Sequence, residues 1–149
     1  NPVILNTMEW VKTNVTPIPQ HEDYLTKIQL NNHGSAAALV RGQATSADMN
    51  VLVAMNNIVE ALFRMGYGTD FKDVLIAGHQ ALLNLGGRFR RDGRVTLYAS
   101  EITAINALME LHDAQMEVIT VQTMEKALEF IKREQSAGRT VRIIEKAFQ

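Results

Sequence analysis

TSADMNVLVAMNNIVEALFRM, residues 45–65, is the stretch whose reading decides the fold. Thr45 is an N-cap residue whose hydroxyl can accept an amide of the first turn, and Asp48 stands at the positive end of the helix dipole. From Ser46 to Met65 apolar residues recur at helical spacing in two adjacent stripes. Val51, Ala54, Ile58, Ala61 and Met65 form one, and Leu52, Met55, Val59 and Leu62 form the other. The polar stripe is narrow: Asn57, Glu60 and Arg64. A helix apolar round most of its circumference sits at the centre of its domain or at an oligomer interface. The first stripe is accordingly the candidate surface for a homo-oligomer.

Working outward, Gly66-Tyr67-Gly68 ends this helix and Thr69 or Asp70 can cap the next. There Phe71, Val74, Leu75, Gly78, Leu82 and Leu85 hold helical spacing. Gly86-Gly87 is expected to end or bend it. Arg94-Val95-Thr96-Leu97-Tyr98 alternates and is β-branched, which suggests a short strand over 94–98. Ser100-Glu101 reads as the next helix start, and the run Val118-Ile119-Thr120-Val121 as its break. A last helix, restarted at Thr120 or Thr123, runs to about Ala137, with Met124, Ala127, Leu128 and Ile131 inward. Gly138-Arg139 echoes Gly93-Arg94 and leads into a second strand candidate, 140–144.

On the amino-terminal side the signals weaken. Ala36 to Arg41 is helical, with Gly42 as its terminator. Tyr24, Leu25, Ile28 and Leu30 fit either an extended arm or a short helix. Thr16-Pro17-Ile18-Pro19 stops a short helix over 3–11. The expected architecture is therefore mainly α: one domain, 1–149, with a bundle of four to five helices and two short strands. An irregular arm covers 1–32, a helical core 33–137, and a tail or strand 138–149.

Composition narrows function. The 149 residues carry 15 basic and 16 acidic side chains, a net charge of −1, which excludes a histone-like, generally basic mode of nucleic-acid binding. With no cysteine there is no disulfide, iron–sulfur cluster, thiolate zinc site or cysteine nucleophile. No apolar run approaches the roughly 20 residues needed to span a bilayer. Asn1-Pro2-Val3-Ile4-Leu5 shows neither a basic leader nor a long apolar core, so a cytoplasmic setting is expected.

Three constellations could carry chemistry. Arg88, Arg90, Arg91 and Arg94, with Phe89 among them, could hold phosphates or an acidic protein. Glu110, Asp113 and Glu117 share a helix face at i, i+3 and i+7, a spacing that better fits a solvated face than a metal site. Of His21, His33, His79 and His112, His112 lies on the apolar stripe between Met109 and Met116, the place of a core histidine with one nitrogen hydrogen-bonded. No phosphate loop, dinucleotide glycine motif or calcium loop is present, and neither metal nor cofactor is expected.

Ala36-Ala37-Ala38-Leu39-Val40-Arg41-Gly42 with Thr45 and Asp48, the helix from Val51 to Leu62, and Leu111-His112-Asp113-Ala114-Gln115-Met116 together resemble a loosely described group of small helical proteins of bacterial prophages and mobile elements. The resemblance covers about residues 33–130. It implies a bacterial or phage cytoplasmic setting and assigns no activity and no site residue. The expected function is a non-enzymatic interaction protein that binds a macromolecular partner, for instance as an inhibitor of a host defence complex. The alternative is a nucleic-acid-binding regulator working through the cluster from Arg88 to Arg94.

Overall fold

The computed structural model describes Pro17, Ile18 and residues 22–138. The short helix over 3–11, the strand over 140–144 and His21 lie outside these residues. Five helices follow one another: α1 (Glu22–Val40), α2 (Ser46–Arg64), α3 (Lys72–Asp92), α4 (Ala99–Met116) and α5 (Val121–Ser136). A 3-10 turn (Thr69–Phe71) leads into α3. The chain is a mainly α bundle, as the periodicity requires.

α2 is the central element and packs against all four other helices. Its start is fixed by a reciprocal cap: the Asp48 amide donates to Thr45 Oγ1 at 3.4 Å, and the Thr45 amide donates to Asp48 Oδ2 at 2.9 Å. The Ser35 hydroxyl of α1 donates to the other Asp48 oxygen at 3.0 Å. These bonds hold the Asp48 carboxyl below the ordinary carboxylate range.

Two cores flank α2. Leu52, Met55 and Val59 join Leu39, Leu75, Leu85, Ile105 and Leu108 in one. Ala61 and Leu62 join Ile18, Met116, Ile119, Met124, Ala127 and Ile131 in the other, with Ile58 packed against it. Two of the five residues offered as an oligomer surface thus pack inside the chain. Ala61 is buried and Ile58 half-buried, which leaves Val51 half-buried and Ala54 and Met65 exposed. Glu60, placed by its spacing on the polar stripe, is buried as well. Leu128, expected to face inward, is exposed on α5.

Three further expectations are corrected. The arm is not irregular over 22–32, because α1 begins at Glu22 and runs unbroken to Val40. Gly86-Gly87 does not end α3, which continues to Asp92 and closes on Gly93 in the left-handed region (φ 70°). Residues 94–98 form no strand: among the described residues the only β pairing is an isolated bridge between Pro17 and Thr120. Residues 95–98 have no strand partner, and Val95 and Leu97 rest on the core. Alternation there reflects a linker with one apolar side, and no second strand satisfies its backbone. Among the described residues no helix is long and apolar enough to cross a membrane.

Candidate binding cleft

Because α3 runs through the two glycines, Arg88, Arg90 and Arg91 occupy its last turns and only Arg94 lies in the linker. The four arginines do not act as one patch. Arg88 turns inward: its Nη2 donates to the Thr96 carbonyl at 2.8 Å, it pairs with the Glu101 carboxylate, and its guanidinium lies over the Tyr98 ring, 4.6 Å from the centroid. Glu101 also accepts the Tyr98 amide at 3.0 Å, which caps α4 one turn ahead of it. Arg88 therefore clamps the linker between α3 and α4. Arg91 pairs with its neighbour Asp92 at 3.1 Å. Arg90 and Arg94 are exposed.

The histidines separate too. His112 has no exposed surface, and Asn32 Nδ2 of α1 lies 3.5 Å from its Nδ1. Burial holds its pKa down to about 4, against an opposing pull from Asp113. One residue along, His33 Nε2 meets Asp113 Oδ2 at 2.9 Å. The two contacts pin α1 to α4, so Asp113 belongs to an interhelical pair rather than to a carboxylate stripe. Among the described residues no group of three or more ligand side chains could hold a metal ion.

His79 lies elsewhere, in a cleft of about 550 Å³ between α2 and α3 that reaches the end of α5 at Gln135. α2 supplies Ser46, Met49, Asn50, Val53, Asn56 and Asn57. α3 supplies His79, Leu82, Leu83, Gly86, Phe89 and Arg90. Positions 46, 49/50, 53 and 56/57 of α2, and 79, 82/83, 86 and 89/90 of α3, each follow a helical stripe, so the cleft is the seam where two helix faces diverge. Val53 is 43% exposed and Leu83 53% exposed, and both are apolar. At the floor Asn56 Nδ2 meets His79 Nδ1 at 3.0 Å. Apolar walls with a few convergent polar groups are the usual make-up of a binding pocket.

Among these residues the sequence marks His79, Phe89 and Arg90 as candidates. It does not mark Val53, Leu83 or Gly86. Gly86 reads as a helix terminator, and Val53 and Leu83 lie on the flanks of the core stripes. The one legible signal was the excess of apolar circumference on α2. Comparison with protein-family models, curated proteins and solved structures finds no match to this chain.

Proposed function

We propose that the protein is an interaction module that binds an apolar segment of a protein partner in the cleft between α2 and α3, acting without catalysis. The observation that carries this reading is the pair of exposed apolar side chains, Val53 and Leu83, facing one cleft of ligand-binding size. A regulatory role in a phage or mobile-element setting, such as restraint of a host defence complex, is the biological form the reading takes. The inward commitment of Arg88 speaks against the arginine cluster as a phosphate site, because its guanidinium is already paired with Glu101 and Thr96.

The test is purification of the partner from the host, its identification, and measurement of affinity between the two pure proteins. Leu83→Asp and Val53→Asp place a charge in the cleft at exposed positions and are expected to weaken binding at least about tenfold, or 1.4 kcal/mol. Unchanged affinity in both variants would refute the cleft as the site.

A further inference from the structure

Val53 and Leu83 stand 43% and 53% exposed on the two walls of the cleft between α2 and α3. The end of α5 lies at the same cleft. Met124, Ala127 and Ile131 form the buried stripe of α5, and Gln135, the next position on that stripe, lines the cleft. Just beyond it the Gly138 amide donates to the Gln135 carbonyl at 3.1 Å, and a positive φ of 71° takes the chain out of the helix at that rim. Residue 139 therefore starts within about 14 Å of Gln135. Residues 139–149, RTVRIIEKAFQ, carry a pattern that suits an apolar cleft. At about 100° per residue, Val141, Ile143, Ile144, Ala147 and Phe148 fall on one arc of about 160°. Arg139, Arg142, Glu145, Lys146 and Gln149 all fall on the other side. Strand alternation fits less well, because Ile143 and Ile144 would point to opposite faces. A helix of about ten residues is marginal in water by itself, so its apolar arc needs a seat. Its length would be about 15 Å, and the α2 wall from Ser46 to Asn57 runs about 16 Å.

We propose that residues 139–149 of this chain dock as an amphipathic helix in the cleft between α2 and α3, their apolar arc against Val53 and Leu83, and so compete with any partner segment for it. The tether selects the chain's own segment over that of a second copy. A segment joined at the rim acts at an effective concentration on the order of millimolar. The proposal rests on the cleft reading above and adds the regulation of that site.

A benzophenone side chain in place of Phe148, irradiated in the dilute full chain, tests this without knowledge of the partner. Crosslinks are expected within one chain, to the α2 or α3 peptides that line the cleft, and are expected to vanish when Leu83→Asp is added. Crosslinks to other parts of the chain, crosslinks only between two copies, or none would overturn the proposal. The dye anilinonaphthalene sulfonate gives a second readout. Ile144→Asp with Phe148→Asp is expected to raise its binding at least about twofold, the factor for a cleft occupied half of the time or more. Leu83→Asp is expected to cancel that rise. Unchanged dye binding, or a rise that persists with Leu83→Asp, would overturn the proposal. Absent crosslinks beside a partner affinity that Leu83→Asp still weakens would overturn the docking of residues 139–149 and leave the cleft reading standing. Crosslinks into the cleft beside a partner affinity that Leu83→Asp leaves unchanged would support the docking and refute the cleft as the partner's site.

Discussion

Arg88 and Arg90 stand two residues apart on α3 and do different things. Arg88 is largely buried against Glu101, whose carboxylate is itself nearly inaccessible. Arg88→Ala would leave that carboxylate buried without its cation, a loss of about 3–5 kcal/mol in a urea melt. Arg90→Ala is expected to stay within about 0.5 kcal/mol of wild type, because it touches only the cleft rim. Equal effects of the two substitutions would contradict the division of the cluster. His112 makes a second prediction at this scale. Its folded pKa, about 4, lies below the ordinary histidine value of 6.5, so the fold prefers the neutral ring. The stabilisation is complete above pH 6.5 and is lost as pH falls through 6.5 toward 4, because the unfolded chain takes up the proton first. Between pH 7.5 and pH 4.5 the wild type should lose about 2 kcal/mol more stability than His112→Gln, measured by paired urea melts. Parallel losses would show that the ring is not the sensitive group.

The helices themselves turn on glycine and caps. Gly86→Ala is expected to raise stability by up to about 1 kcal/mol, since alanine is the better helix former and finds open space. Gly78→Ala is expected to lower it by about 1–3 kcal/mol, because Leu108 must move away. Thermal melts of the pair would reveal the opposite signs. Much of this layer was legible in the sequence. Thr45 and Asp48 announced the start of α2, Thr120 capped α5, and the stripe Leu52, Met55, Val59 and Leu62 named core residues. Gly86-Gly87 misled because a glycine pair looks alike whether it ends a helix or opens one of its faces, and only the surrounding space separates the two. Residues 94–98 misled because alternation marks a one-sided environment, which a linker lying on a core shares with a strand. Arg88 could not be read as internal, because its partners Thr96 and Glu101 lie across a helix end that the sequence placed too early. The start of α1 was illegible for a related reason. Ile28 packs on the second core and Asn32 meets His112, eighty residues away, and such long-range contacts leave no local pattern.

At the scale of the whole molecule, the apolar circumference of α2 serves mainly the core and in part the cleft. Its packing against all four other helices accounts for most of it. Of the apolar side chains it leaves exposed, Val53 faces the cleft, while Ala54 and Met65 lie outside it. The net charge of −1 and the paired states of Arg88 and Arg91 leave no broad cationic surface near α3 among the described residues. Duplex DNA is therefore expected to show no retardation at about 150 mM salt, where a few phosphate contacts are strongly weakened. Retention under those conditions would revive the nucleic-acid reading. The claim that the α2–α3 cleft is the working surface is tested most directly by photo-crosslinking in the host. A photoreactive side chain is placed at Val53, at Leu83, and at Phe71, which is exposed but outside the cleft. The account predicts that Val53 and Leu83 both crosslink to the same protein, identified by mass spectrometry, and that Phe71 does not. Crosslinking at Phe71 alone, or none at either cleft position, would contradict it.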